Sequence, residues 1–324
     1  MKTIDQIGSY SASGIFPPKL LQSDEAINKE GLIVPLHLQL IPTNACNLNC
    51  TFCSCRGRDK KLSLPWEKTQ QILRAFASFG TRAMTVTGGG EPLLYPKINE
   101  LFELALTLGI RVGLVTNGMP KTISKLQNSE LTWVRISVSD KTRLSSSFLN
   151  SLSTAIMRTP QIDWAFSYVL TRDPDYTKMG ALLKFAEDHS FTHIRIVSDL
   201  TDLDSVPTMD DVRSRLNTMP GEELVIYQGR KGYTRGHRRC LISLLKPTIG
   251  PDGGVWPCCG VQYALPKPTN DMEPNMKMGD WTDFQEIMQE QRCFNGSVCA
   301  RCYYENYNQA LDPMTKRIEH KEFV

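Results

Sequence analysis

Cys46-Asn-Leu-Asn-Cys50-Thr-Phe-Cys53 is the segment from which the rest of this chain is read. It places three thiols within eight residues, close enough to wrap one face of a small inorganic cluster. Zinc ordinarily takes four ligands in two short pairs, and the loop contains no histidine. Thiolates also suit iron–sulfur clusters, and three of them on a four-iron cluster leave one iron open for a substrate or cofactor. Cys55 is a fourth candidate, but only two residues beyond Cys53 its approach to the last corner is cramped. A structural zinc knuckle is the alternative. Upstream, Leu36-His37-Leu38-Gln39-Leu40 alternates as a strand running into the cysteine loop. Downstream, Val86-Thr87-Gly88-Gly89-Gly90-Glu91-Pro92 follows a second strand and, taken alone, is a tight turn.

The surrounding composition is that of an ordinary soluble globular protein: 324 residues, 41% hydrophobic and 22% charged, a length that suggests about two domains. A net charge of +3 does not by itself point to nucleic acid. No apolar run approaches the ~20 residues of a membrane span. The first residues lack the apolar core of a secretory signal, so a cytoplasmic protein with no membrane partner is expected. Ten cysteines in such a setting are expected to be ligands or catalytic thiols rather than disulfides. Cys46, Cys50, Cys53 and Cys55 form one group, while Cys240, Cys258, Cys259, Cys293, Cys299 and Cys302 form another, which predicts two sites.

Between the groups the pattern alternates strand and helix. Strands are expected at 35–41, 83–87, 111–116, 133–138, 163–169 and 193–198. Amphipathic helices are expected from Trp66, capped by Ser63 and Pro65 and closed at Gly80, and from Ile98, closed at Gly109. Such alternation argues for an α/β fold with parallel pairing and right-handed crossovers. Chemistry would then gather at the C-terminal strand ends, where the cysteine loop, the glycine run and Thr116-Asn117-Gly118 all fall. Residues 1–33 read as an N-terminal extension packing on the core, 34–220 as the strand–helix domain and 221–324 as a smaller cysteine-rich domain. Within the last, Glu223–Tyr227 reads as a short strand, Ile249–Cys258 as a hairpin turning at Pro251-Asp252-Gly253-Gly254, and 279–293 as helix-like.

Cys-x3-Cys-x2-Cys with an aromatic residue, Phe52, before the last cysteine is similar to the signature of radical S-adenosylmethionine (SAM) enzymes. The glycine run resembles that family's Gly-Gly-Glu motif, whose backbone binds the amino group of SAM and where a side chain would block the approach. The resemblance implies a partial (βα)6 TIM-like barrel and a [4Fe-4S] cluster on Cys46, Cys50 and Cys53 with SAM on the open iron. It also implies cofactor contacts from Phe52, Gly88, Gly89, Gly90, Glu91 and Asn117. On the fourth strand Arg135, Ser137 and Ser139 share a face. Ser137 or Ser139 is expected near the SAM ribose or carboxylate and Arg135 near the carboxylate, with plain barrel-lining polarity as the alternative. Ile194 and Ile196 read as core, and Tyr168-Val-Leu-Thr-Arg172 shows no clear adenine motif.

Cys240-x17-Cys258 and Cys299-x2-Cys302 supply four thiolates, which fit a zinc ion or a four-iron cluster equally by spacing. Cys240, then Gly253-x4-Cys258, then a late Cys-x2-Cys looks like the shortened SPASM domain called twitch. That likeness implies one auxiliary [4Fe-4S] cluster on Cys240, Cys258, Cys299 and Cys302, with zinc as the alternative. Cys259 is a candidate hydrogen donor or a substitute ligand; Cys55 and Cys293 read as buried small hydrophobes.

The chemistry implied is reductive cleavage of SAM to a 5′-deoxyadenosyl radical, fed by an electron donor such as flavodoxin or ferredoxin, and abstraction of a substrate hydrogen. An auxiliary cluster accepting an electron gives net oxidation; a thiol returning hydrogen gives epimerisation; rearrangement is the third outcome. Family neighbours act on peptides, aminosugars and aminocyclitols, so the substrate stays open between a small molecule, a peptide and a nucleic acid. The basic run Arg230, Lys231, Arg235, Arg238 and Arg239, with Tyr233 and His237 interleaved, together with Arg56, Arg58, Lys60 and Lys61, would suit phosphate at a site mouth; a solvated loop is the alternative. A non-catalytic iron–sulfur or zinc-binding module is the reading from another class.

Overall fold

The computed structural model describes residues 25–127, 130–229, 234–267, 269–316 and 319. Its parallel strands fall almost where alternation puts them: β1 (His37–Leu40), β2 (Ala83–Val86), β3 (Arg111–Thr116), β4 (Trp133–Ser139), β5 (Asp163–Leu170) and β6 (His193–Ser198). The crossovers carry α1 (Trp66–Ser78), α2 (Ile98–Thr107), α3 (Pro120–Ile123), α4 (Ser146–Arg158) and α5 (Tyr176–Asp188). After β6, α6 (Met209–Leu216) leads to β7 (Val225–Gln228), which pairs parallel with β6, so the parallel sheet runs past residue 220.

The chain then returns to the opposite edge. α7 (Ile242–Leu245) precedes β8 (Thr248–Ile249), which pairs parallel with β1; β9 (Gly254–Trp256) pairs antiparallel with β8, and β10 (Gly279–Asp280) with β9. The order is β10-β9-β8-β1-β2-β3-β4-β5-β6-β7, an open sheet with β7 and β10 at its edges. This is the α/β, mostly parallel, partial-barrel class. It ends with α8 (Phe284–Gln289) and α9 (Glu305–Met314).

The core follows from the strand period. Leu38, Leu40, Val86, Leu114, Val134 and Ile136 are all fully buried, facing helices whose apolar stripes recur at helical spacing, such as Ile72, Leu73 and Phe76 of α1. Ile194 and Ile196 are core, as expected. The first two helices end as expected at left-handed glycines, Gly80 (φ +99°) and Gly109 (φ +76°). The start of α1 differs: Pro65 occupies the cap position without a side-chain bond, and the Ser63 hydroxyl donates instead to Pro42 O. Residues 279–293 also differ. Gly279 in a positive-φ conformation and a reciprocal Asp280–Asp283 capping box confine regular helix to α8.

Of the N-terminal extension, residues 25–33 pack on the core through buried Ala26 and Ile33 and a bridge between Ile27 and Ile33; residues 1–24 lie outside the described residues. No helix among the described residues is long and apolar enough to cross a membrane.

Candidate active site

Three loops meet at the C-terminal edge of β1, β2 and β3. The backbone after β1 receives the glycine run directly: Gly90 N–H donates to Thr43 O (3.1 Å) and Glu91 N–H to Ala45 O (2.7 Å). A Cβ on Gly90 would sit 2.1 Å from Ala45 O and 2.5 Å from Asn44 C, and one on Gly89 would sit 1.9 Å from Asn44 Oδ1. The glycines are therefore required by close approach to the start of the cysteine loop.

Glu91 is 2% exposed. Its carboxylate accepts from Thr116 Oγ1 (2.6 Å), Asn117 N (2.7 Å) and Leu93 N (3.0 Å). Burial raises its pKa, and the bonds from Asn117, Thr116 and Leu93 pull it back. Asn117 passes the link on, its side-chain amide donating to Asn47 Oδ1 (2.7 Å) inside the cysteine loop. A chain of hydrogen bonds thus ties the end of β2 to the end of β3 and back to the loop after β1.

Cys46, Cys50 and Cys53 are half-buried. The Cys50 thiol is pushed up by burial and then by Cys53 and Cys46, so the three feel one another. Arg58 is buried beneath them: Nε donates to Asn44 O (3.0 Å), and Nη1 reaches Cys53 Sγ (3.5 Å) and Cys55 O. Cys55 is buried, and burial with the neighbouring Cys53 drives its thiol far up. Phe52 is half-buried in the same loop.

On β4, Arg135 and Ser137 lie half-buried on the inner face, with the Arg135 guanidinium 4.9 Å above the Trp133 ring. Ser139 is almost fully buried, and its hydroxyl accepts from Lys141 N (3.2 Å) in a local turn. Next to it Asp140 accepts from Tyr168, Thr171 and Asp175 N, locking the tops of β4 and β5 together.

The second cysteine group is assembled by close backbone crossings. A Cβ on Gly236 would meet Gly296 O at 2.3 Å, and one on Gly296 would meet His237 O at 2.5 Å. Cys240, Cys258, Cys299 and Cys302 line one cavity, walled by Phe294, Tyr303 and Tyr304. Burial raises all four thiols, then the other thiolates raise Cys240 (to about 12), Cys299 (to about 11) and Cys258 further. Among the described residues no three Cys, His, Asp or Glu side chains form a group of the kind that holds a metal ion. Cys259 is absent from the cavity lining but acts electrostatically on the adjoining Cys258, as well as on Lys246 and Tyr304. Cys293 packs half-buried against the core.

The first cysteine loop is tied to the segment that follows Cys259. Ser54 Oγ donates to Gln262 Oε1 (2.6 Å), Gly57 N to Asn270 O (2.9 Å) and Arg56 Nε to Asn270 Oδ1 (3.0 Å). The basic patches expected around a site mouth are dispersed. Arg58 is interior, Arg239 pairs with Asp312, and Arg235 Nε donates to Ser297 O; Arg230, Lys231 and Tyr233 lie outside the described residues.

Residues 40–140 match the model of the Radical SAM superfamily. An S-adenosylmethionine-dependent nucleotide dehydratase of Flammeovirga pacifica is 35% identical over 101 residues, 29% of this chain and 34% of that protein. A GTP 3′,8-cyclase of Vibrio atlanticus is 30% identical over 177 residues, 47% of this chain and 51% of that one. The chain thus spans about a third to a half of the length of these curated relatives. Across nearly the whole chain the fold is that of Streptococcus suis SuiB, solved bound to its precursor peptide SuiA (TM-score 0.56, 16% identity, 94% of this chain and 78% of that one). A second structure of the same fold is anSMEcpe with AdoMet and the Cp18Cys peptide (TM-score 0.51, 14% identity, 90% and 86%). Residues 40–140, which carry the cysteine loop, the glycine run and Asn117, are the part of the chain that matches a radical SAM superfamily domain.

Proposed function

We propose that this chain is a radical SAM enzyme whose reaction begins with hydrogen abstraction from a substrate held inside the partial barrel. The observation that carries this reading is the hydrogen-bonded stitching of three loops, distant in sequence, around the Cys46-Cys50-Cys53 triplet. The donor set fits the family's group: three half-buried thiols in one loop, with an arginine donor at Cys53, suit a cluster-bound state. A [4Fe-4S] cluster on these residues, with SAM on its open iron, supplies the reductive cleavage that yields a 5′-deoxyadenosyl radical.

The chain's own residues orient and shield. The backbone of Gly88-Gly89-Gly90 is assigned to the amino group of SAM, and Phe52 and Asn117 flank the same loop edge. Glu91 acts as a positioning residue for Asn117 rather than as a cofactor contact. Ser137 faces the interior where a ribose or substrate hydroxyl would lie, and Ser139 holds its turn. Arg58, through Cys53, adjusts the charge on the cluster thiolates.

Cys240, Cys258, Cys299 and Cys302 are assigned to an auxiliary [4Fe-4S] cluster. Four thiols line one cavity, which suits a thiolate-held cluster, with zinc as the alternative. Such a cluster would take an electron from the product radical and make the reaction an oxidation. Cys259, outside that cavity, is the candidate for returning hydrogen in an epimerisation. An external one-electron donor such as flavodoxin or ferredoxin completes the cycle. The relatives named for nucleotide substrates favour a nucleotide over a peptide, since the peptide-bound neighbours share the fold alone.

The test is 5′-deoxyadenosine formation by anaerobically reconstituted protein with SAM and a strong reductant. Product that disappears in Cys50→Ala supports the enzyme; a fully loaded protein that forms none, across nucleotide, peptide and aminosugar substrates, leaves a non-catalytic iron–sulfur module.

A further inference from the structure

Arg135 and Arg195, far apart in sequence, share the inner face of the sheet, and Lys246 lies within electrostatic reach of both. Across β4, β5 and β6 the register sets Arg135, Ala165 and His193 in one row, and Ser137, Ser167 and Arg195 in the next row toward the C-terminal edge. Arg195 Nη2 donates to Ser167 Oγ (3.2 Å), and Arg135 Nη2 lies 3.5 Å from His193 Nε2. Lys246 enters from the α7–β8 junction, with Nζ 3.3 Å from Tyr304 Oη.

Arg135 and Lys246 lie deep in the molecule, and all three side chains are half-buried rather than sealed off. They also feel one another. Burial lowers the pKa of Arg135 and Arg195 lowers it further. Burial lowers Lys246, Cys259 and Cys258 partly restore it, and Arg135 and Arg195 lower it again. Tyr303 joins this interior to the C-terminal cavity: it lines that cavity, bonds Gln228 of β7 and acts on Arg135.

Like charges brought together at depth repel, and an anion seated among them turns that repulsion into binding. Two guanidinium forks, one ammonium and two serine hydroxyls are the donor set for phosphate, whose oxygens accept more bonds than a lone carboxylate can. We propose that Arg135, Arg195 and Lys246, with Ser137 and Ser167, form a receiving site for a phosphate group of a small-molecule substrate. An interior site admits the terminal phosphates of a small molecule, whereas a continuous nucleic-acid backbone would need an open groove. The proposal rests on the reading of this barrel as a radical SAM active site and names the substrate chemistry that it would take.

The test is calorimetric titration of reconstituted protein, already holding SAM, with sodium tripolyphosphate. Micromolar-range binding is expected, weakened at least about tenfold in Arg195→Gln and in Lys246→Met. Iron content and SAM affinity should stay at wild-type levels, and Arg195→Lys should recover part of the loss. The exposed Arg238→Gln serves as the surface control and should bind normally. Equal binding by Arg195→Gln, Lys246→Met and wild type overturns the proposal. So does tighter binding of a single-stranded oligonucleotide than of tripolyphosphate, or no binding by protein that still cleaves SAM. The last result removes the phosphate site and leaves the enzyme reading intact; failure to cleave SAM with tripolyphosphate still bound does the reverse.

Discussion

Glu91→Gln isolates the link that holds the site together. In the native chain Oε1 accepts from Thr116 Oγ1 and Leu93 N while Oε2 accepts from Asn117 N. The amide keeps one acceptor oxygen for the first pair and turns an N–H toward the Asn117 N–H. Losing one bond to a buried charge and stranding its donor costs about 3–5 kcal/mol, and removing the buried charge returns part of that, leaving about 2 kcal/mol. For a chain of this size the melting temperature should fall by roughly 4 °C. The pH dependence carries the sign. Burial outweighs the three donors and raises the Glu91 pKa, so the folded chain holds its proton to higher pH than the unfolded chain does. That contribution is fully present below the unfolded carboxylate value and is lost as pH rises through the folded one. The stability gap between wild type and Glu91→Gln should therefore narrow with rising pH. The assay is thermal unfolding of reconstituted protein, read side by side for the two forms from pH 5.5 to 8. A gap that widens with pH would refute the reasoning, because the three donors would then have outweighed burial.

Gly90→Ala should abolish iron loading in reconstitution, since the new methyl group meets backbone 2.1 Å and 2.5 Å away on a segment that cannot yield; normal iron content would show that the close approach is dispensable. Arg58→Lys keeps the charge but not the fork to Asn44 O, Cys55 O and Cys53 Sγ. The cluster's reduction potential, read by anaerobic redox titration, should move negative, and an unchanged potential would remove Arg58 from any tuning role. Cys258→Ala should lose about four iron atoms per chain while Cys259→Ala keeps them, because only Cys258 lines the four-thiol cavity. Equal iron loss in both variants would instead make Cys259 a ligand.

The strands were legible because each carries a strong local signal, a short apolar alternation closed by a turn. Those signals reproduce β3 and β6 residue for residue and the rest within two or three residues. What was lost is non-local. β8 contributes two residues, Thr248 and Ile249, to the sheet beside β1, and nothing in their neighbourhood says that a return strand pairs with residues two hundred positions earlier. The ends of helices misled in a related way. Ser63 has the right chemistry to cap α1, but Pro65 occupies the cap position, two residues further on, and the Ser63 hydroxyl donates to Pro42 O. Glu91 shows the same limit at the site itself: the motif marks the residue, yet only packing reveals that its three bonds all go to protein groups.

Charge is where local and global readings part most sharply. The sequence displays a cationic run from Arg230 to Arg239 and a second patch after the cysteine loop, and both invite a phosphate at the site mouth. Folding disposes of much of that invitation, since Arg58 goes beneath the thiols, Arg239 to Asp312 and Arg235 to a backbone carbonyl. The cations that do meet come singly from β4, β6 and the α7–β8 junction, each surrounded in sequence by apolar residues. An isolated arginine in a strand is expensive to bury, and three of them or their equivalent in one interior raise that cost for each other. A fold tolerates such an arrangement when something else repays it at the site. An anionic ligand does this directly, because it is held most tightly where the protein has paid to strip water from the cations. The barrel interior, rather than the basic surface run, is therefore where phosphate recognition is to be sought.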